Sequence, residues 1–542
     1  MSNAFFESRM QQEWWRGAVL YEVYPRSFQD SNADGEGDLP GLTQRLEYLQ
    51  ELGVDGLWIG PFFRSPMKDG GYDVADYQSV DPRFGTLEDF REMLEKAHRL
   101  GLKVIIDQVY SHTSNKHPWF LESARSPSSS KADWYVWADA QPDGSPPNNW
   151  LGRFGGVAWE WGSQRRQYYL HNFIVEQPDL NLHHPEVQEA ILEVARFWLK
   201  LGVDGLRLDV ANFFMHDPLL RDNPPRTEEH TEVNPYYFQQ HVYDRSRPEN
   251  LAFLRRLRQV LDEFPERMTV AEIACDQQLE RMAEYTRPGL LHTAYSFALL
   301  GPDLDGELIA SAVQEASQHQ AWPSWAFSNH DVKRVASRWA GDPPELSRVR
   351  MLLALLLSLR GTVFLYQGEE LGLPHSEVPQ ERLQDPEALR FWPMHRGRDG
   401  ARTPMPWDAQ GEQAGFSRHE PWLPVEPAHL PRSVNLQEMQ PGSPLHFSRK
   451  VIGYRRQRSS LKVGEFDLLR ADRGWLEFLR SSGLEVTWCA FNLSGDRRPL
   501  PLPEGSWAAA PAIEQGRLSG ARLGQEFLLE PGGFVLWENQ KE

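Results

Sequence analysis

Apolar residues recur at helical spacing through residues 38–53, DLPGLTQRLEYLQELG, and the stretch ends on a glycine, a common helix terminator. The next residues, VDGLWIGPFF, switch to the pattern of a strand. The same succession returns later. PEVQEAILEVARFWLKLG, residues 185–202, is helical in period and closes on glycine, and VDGLRLDV follows as a strand. The joint carries the same letters both times, LGVDGL at 52–57 and again at 201–206. Residues 86–109 follow this plan with other letters, and further helix–strand pairs fit 250–275, 278–300, 307–331 and 346–367. Roughly eight strand–helix units predict an α/β fold, a (βα)8 TIM barrel. A doubly wound open sheet is the weaker alternative, since no glycine-rich phosphate loop follows the first strand.

Two segments break the rhythm. Residues 110–184 stand between a strand and its helix, are far longer than an ordinary connection, and are rich in Trp, Pro, Ser and Gly. They predict a small inserted domain after the third strand. Beyond residue 463, LEVTWCAFNLSG and GGFVLWENQ alternate like strands and predict a C-terminal antiparallel β-sandwich domain over 463–542. The barrel then takes residues 1–109 and 185–462. The apolar run MLLALLLSL at 351–359 is too short to span a bilayer and reads as a buried helix.

Composition narrows the ligand. The 542 residues are 40% hydrophobic and 25% charged, a globular balance with material for several domains. A net charge of −19 argues against nucleic acid, an anionic membrane or a polyanion, and suits a neutral substrate. Most of the 20 Trp are expected in the core, and any exposed ring offers a platform for apolar ring faces. Cys275 and Cys489 give neither a disulfide framework nor metal spacing, and residues 1–17 show no basic-then-apolar leader. A cytoplasmic monomer or homodimer, bound to no membrane, is the expectation.

In a barrel of this kind the active site lies at the C-terminal ends of the strands. KVIIDQVYSH offers Asp107 and His112 there, and GLRLDV offers Arg207 and Asp209. TVAEIAC offers Glu272, and WAFSNHD offers His330 and Asp331. One acid at a strand end is ordinary capping; four acids, an Arg and two His at one mouth are not. Arg207 and Asp209 stand two apart and share a face, so the guanidinium is expected to keep Asp209 ionised, as a nucleophile needs. The apolar approach MTVA is expected to raise Glu272 toward the range of a general acid. One ionised and one protonated carboxyl across a cavity is a glycosidase arrangement. A divalent cation held by the acids, as in metal-dependent barrel lyases, is the rival, and the Arg beside Asp209 disfavours it.

These strand-end motifs, DQVYSH, GLRLDVANF, AEIA and FSNHD, resemble glycoside hydrolase family 13, the α-amylase family, in order and spacing. YEVYPRSF, DGGYDVADY, FGGVAWEW, QPDLN, YQGEELG and GRDGARTPMPW extend the resemblance from about residue 15 to the C-terminus, toward the α-glucosidase and oligo-1,6-glucosidase branch. The resemblance implies Asp209 as nucleophile, Glu272 as acid/base and Asp331 as stabiliser of the oxocarbenium-like transition state. It implies that His112 and His330 bind the same glucose, that Tyr72 stacks on it, and that Asp69 with Arg398 grips its non-reducing end. Phe154, from the inserted segment, would line the pocket. The implied enzyme is an exo-acting, retaining α-glucosidase acting on small sugars such as maltose, isomaltose, sucrose or aryl α-glucosides. A transglucosylase would use the same residues. A non-catalytic transporter heavy chain would lack the acids and carry a membrane span.

Where the family usually has Asn before the first His, this chain has Ser111, so the family's calcium between barrel and inserted domain is not implied. Another site is. DSNADGEGD, residues 30–38, sets Asp30, Asn32, Asp34 and Asp38 at alternating positions around glycines, with the carbonyl of Glu36 to complete an oxygen set. A structural Ca2+ or Mg2+ is expected there, and no organic cofactor. For linkage, strand alternation is expected to turn the Val210 side chain away from that of Asp209, yet at a strand end it can still border the +1 subsite, and Val at this place resembles α-1,6-cleaving relatives. The long connection 211–249 could cover that side and override it.

Overall fold

Both copies of LGVDGL fold alike, and each constrained letter has a mechanical reason. Gly53 and Gly202 end their helices at φ +90° and +109°, a left-handed conformation that costs only glycine nothing. Asp55 accepts the backbone N–H of Val19 at 2.8 Å, and Asp204 accepts that of Val104 at 2.9 Å. Each aspartate thus pins the start of a neighbouring strand. A Cβ on Gly56 would meet the carbonyl of Lys103 at 2.5 Å, and one on Gly205 the carbonyl of Met268 at 2.9 Å. The hexapeptide is a helix-to-strand joint at the barrel floor.

In this computed structural model, residues 13–227, 233–319, 321–501, 507–509, 518–523 and 526–539 are described. Eight parallel strands run in sequence order: β1 (Val19–Val23), β2 (Gly56–Ile59), β3 (Lys103–Gln108), β4 (Gly205–Leu208), β5 (Met268–Ile273), β6 (Thr293–Ser296), β7 (Ser324–Ala326) and β8 (Thr362–Tyr366). β1 pairs with both β2 and β8, and a parallel bridge between Ala294 and Pro323 joins β6 to β7, so the ring closes as a TIM barrel. The helix–strand pairs expected at 250–275, 278–300, 307–331 and 346–367 all form. The stretch 38–53 differs. It is two helices, Leu39–Gln44 and Leu46–Leu52, broken at Arg45, whose side chain is held by Gln29 at 2.7 Å and by the Trp407 ring.

Between β3 and the helix Pro185–Leu201, three short strands, Trp137–Ala138, Trp159–Gly162 and Gln167–Leu170, make an antiparallel sheet over its own small core of Val136, Trp150, Ala158, Trp159 and Leu170. After residue 464 the described residues form antiparallel sheet. Glu465–Asp472, Trp475–Ser482, Glu485–Asn492, Phe534–Asn539 and Trp507–Ala509 form one layer. Arg498–Pro501, Glu526–Leu529 and Leu518–Leu523 form another. Parts of the expected β-sandwich, 502–506, 510–517, 524–525 and 540–542, lie outside the described residues, as do residues 228–232 of the connection 211–249 and residues 1–12.

The run MLLALLLSL is buried, and all but its last residue, Leu359, falls in the helix Leu346–Ser358. Its C-terminal carbonyls are taken by two guanidiniums that are themselves fully buried. Arg455 donates to Leu357 O at 2.7 Å and Gly361 O at 2.6 Å; Arg480 donates to Ser358 O at 2.5 Å and Gly464 O at 2.9 Å. Among the described residues no helix is long and apolar enough to cross a membrane.

Candidate active site

The strand ends bring the expected acids together around one cation. Arg207, on β4, is fully buried; its Nη1 donates to Asp107 Oδ1 and Asp209 Oδ1, each at 2.7 Å. Its Nη2 donates to Glu272 Oε2 at 2.6 Å and to the hydroxyl of Tyr295 at 2.8 Å. One positive charge thus serves three carboxylates. The expectation that Arg207 would set Asp209 low is corrected. Burial pushes the Asp209 carboxyl well above the usual range, Arg207 pulls the other way, and the nearby Glu272 and Asp107 add to the rise. Asp107, also buried, is pushed up to about 6 against the pull of the same arginine.

Asp331 stands in a different field. It lies five residues past the end of β7, with its own N–H held by the side chain of Asn329 at 2.9 Å. Arg402 reaches Asp331 Oδ1 at 2.7 Å and Arg398 reaches it at 3.3 Å. Burial would raise this carboxyl, but the surrounding positive charge holds it below the usual range. Burial lowers His330 to about 3, so at neutral pH the arginines alone supply that charge. Arg398 also donates to Asp69 and to Asp385, each at 2.6 Å, which fixes its direction.

The two histidines are buried and neutral. His330 lies in contact with Glu22 through Nδ1, while its Nε2 meets the Tyr72 hydroxyl at 2.7 Å. Tyr72 also donates to Asp107 at 3.0 Å. Burial lowers His112 to about 4; its Nδ1 meets Ser111 Oγ at 2.9 Å and its Nε2 meets the Gln177 amide at 3.1 Å. Ser111, at the position where the family usually has Asn, therefore bonds the catalytic-side histidine.

These groups surround a cavity of about 210 Å3 lined by Asp69, Tyr72, His112, Phe154, Asp209, Glu272, Asp331 and Arg398. Arg207 and His330 lie just behind that lining. Phe173, Phe213, Phe297 and Val332 add apolar wall, and Arg153, Arg245, Glu387 and His395 also line it. Val210 does border the pocket, though by another geometry than strand alternation. β4 ends at Leu208, and Val210 sits at φ +35°, ψ +53°, not on a strand, so its side chain faces the cavity. Its N–H donates to Glu272 Oε2 at 3.1 Å.

Some partners were missed in the sequence although their motifs were in view: Glu22 in YEVYPRSF, Gln177 in QPDLN and Arg402 in GRDGARTPMPW. Asp385 and Glu387, the latter paired with Arg153 at 3.0 Å, carry no local signal at all.

The 30–38 loop is built differently from a ready ligand cage. Among the described residues no group of three or more His, Cys, Asp or Glu is arranged to hold a metal. Asp30 accepts the N–H groups of Asn32, Ala33 and Gly35 and the Ser417 hydroxyl. Asp38 caps the following helix at Gly41 and takes Ser31, and the Glu36 side chain pairs with Arg26 at 2.8 Å. Asn32 and Asp34 each accept the N–H two residues on, at 2.9 Å.

The chain matches the α-amylase catalytic-domain family model over residues 22–464. It is 52% identical over 503 residues, 91% of each chain, to a probable α-glucosidase of Rhizobium meliloti (strain 1021). It is 34% identical to an oligo-1,6-glucosidase of Parageobacillus thermoglucosidasius, over 91% of this chain and 93% of that one. Its fold superposes on the crystal structure of an α-glucosyl transfer enzyme, XgtA, with a TM-score of 0.94 and 48% identity, covering 97% and 99% of the two chains. The chain belongs to the α-amylase family of glycoside hydrolases, family 13, in its α-glucosidase and oligo-1,6-glucosidase branch.

Proposed function

We propose that the enzyme is an exo-acting, retaining α-glucosidase that releases glucose from the non-reducing end of short, neutral α-glucosides. The observation that carries this reading is the Arg207 guanidinium bonded at once to Asp209 and Glu272 in the wall of a pocket sized for one sugar ring. Asp209 attacks the anomeric carbon while Glu272 gives its proton to the departing oxygen. Water then attacks the glucosyl ester as Glu272 takes the proton back, so the α configuration is retained. Arg207 supplies the charge against which Asp209 ionises. Asp331, kept anionic by Arg398 and Arg402, holds ring hydroxyls and faces the developing oxocarbenium charge. His112, His330, Tyr72 and Phe154 shape the same subsite, and the Asp69–Arg398 pair closes it behind the non-reducing end. Incubation with 5-fluoro-α-glucosyl fluoride followed by peptide mapping tests the assignment: Asp209 should carry the sugar, and a label elsewhere would refute it.

Transfer of glucose to a second alcohol is the alternative outcome of the same intermediate, supported by the 48% identity to the glucosyl transfer enzyme. Maltose, isomaltose, sucrose and aryl α-glucosides are the substrates to compare. We further propose that residues 110–184 act as an inserted domain that supplies Phe154, with 1–109 and 185–462 as the barrel and 463–542 as the C-terminal domain. The two unpaired cysteines, Cys275 and Cys489, support a reducing cytoplasm. For the 30–38 loop, we propose a structural calcium or magnesium. Its support is the all-oxygen donor set on alternating positions, Asp30, Asn32, Asp34 and Asp38 with the Glu36 carbonyl.

A further inference from the structure

A second cavity, about 1080 Å3, shares no lining residue with the catalytic pocket. It backs onto the loop that carries His112. Tyr77, in its wall, donates its hydroxyl to the carbonyls of Val109 at 2.8 Å and His112 at 2.9 Å. The wall is aromatic. The Trp119 ring lies 4.5 Å from His117, 5.0 Å from Trp134 and 5.9 Å from Tyr77, and of these four Trp119 alone is not buried. The buried Trp134 indole N–H has no hydrogen-bond partner among the described residues.

The rim supplies free polar groups. Arg64, Gln78 and Lys116 are exposed, and among the described residues their side chains make no hydrogen bond or ion pair. Arg64, Arg83 and Lys116 are matched by Asp76, Asp81 and Glu193, so the lining is charge-balanced and favours neither anion nor cation. A half-buried indole beside unpaired donors suits a pyranose, which has an apolar face and hydroxyl edges. The acids there are engaged. Asp76 accepts Gln78 N at 2.9 Å and Ser79 Oγ at 2.8 Å, and Asp81 accepts Ser65 N at 3.0 Å. Glu193 accepts Arg196 Nη1 at 2.6 Å, so each acid of this lining already has a partner.

We propose that this cavity is a second, non-hydrolytic binding site for a neutral α-linked oligosaccharide, seated on Trp119 and bonded by Arg64, Gln78 and Lys116. The identity of the sugar rests on the α-glucoside reading of the catalytic pocket.

Calorimetric titration of the Glu272→Gln protein with maltotriose is expected to resolve two classes of site. Adding Trp119→Ala should weaken one class on the order of tenfold and leave the other unchanged. Adding Arg398→Ala instead should abolish the other. The exposed pair Arg64→Ala and Gln78→Ala should weaken the same class as Trp119→Ala, which keeps the test open if the tryptophan variant misfolds. A single class, lost with Arg398→Ala and indifferent to Trp119→Ala and to the rim pair, overturns the second site and leaves the catalytic reading standing. Binding that survives Arg398→Ala in full, yet is lost with Trp119→Ala, upholds the second site and removes support from the catalytic pocket.

Discussion

The backbone N–H of Val210 donates to Glu272 Oε2 at 3.1 Å, from a residue held at φ +35° and ψ +53°. A β-branched residue pays about 1–2 kcal/mol for a left-handed backbone, so the turn after Asp209 is under strain. The strained turn places the amide next to Asp209 on Glu272 and turns the valine side chain toward the pocket.

Because that side chain lines the pocket, Val210→Thr is expected to move the isomaltose-to-maltose ratio of kcat/KM toward maltose by about 1–3 kcal/mol or less. Steady-state kinetics on both disaccharides decide it. An unchanged ratio would mean that the connection 211–249 sets linkage by itself.

Asp209→Asn should cost several orders of magnitude on every substrate, whereas Glu272→Gln should cost roughly 10²–10⁴-fold on maltose and far less on 4-nitrophenyl α-glucoside. The phenolate leaves without a proton, so only the first step is spared. NMR should find α-glucose as the first product of the wild type; β-glucose would exclude the double displacement.

Glu369 is buried, and its carboxyl is pushed up to about 8, chiefly by burial and only partly offset by the Tyr366 N–H and by Arg338. A raised carboxyl stabilises while protonated. Its contribution is complete below about pH 4.5 and is lost as pH rises through about 8. Between pH 5 and 9, Glu369→Gln should gain on the wild type by on the order of a few kcal/mol in denaturant unfolding. A difference that does not vary with pH would show that Glu369 is ionised throughout.

Chelation should lower the melting temperature by several degrees and leave kcat nearly unchanged, because the 30–38 loop supplies no group to the catalytic pocket. Metal analysis of the purified protein should find about one calcium or magnesium per chain. Metal-free protein with an unaltered melting temperature would show that hydrogen bonds alone hold the loop.

Legibility followed distance along the chain. The barrel was readable because its units repeat locally, helix, glycine, strand, and the acids were readable because strand ends are fixed once the strands are. Asp385 was not, since its bond to Arg398 depends on how a loop folds back over the mouth. Arg207 was half-read: its neighbour Asp209 is two residues away, but Glu272 arrives from the next strand and shares the same cation. The direction of Val210 was misjudged for a local reason: the strand ends at Leu208, two residues before it, so strand alternation no longer sets where its side chain points. The break at Arg45 was invisible because Gln29 and Trp407 impose it from elsewhere.

Arg455 and Arg480 face only carbonyls, and those carbonyls come from stretches far apart in the chain. Arg480 belongs to the C-terminal sheet, yet one of its bonds ends on Ser358, in the helix beneath β8. Without that sheet the helix would lose a cation at its blunt end and meet water along an oily flank. The far end of the chain therefore works as a foundation under the barrel, remote from the sugar. Exchanging it between relatives would carry heat tolerance across and leave sugar preference behind.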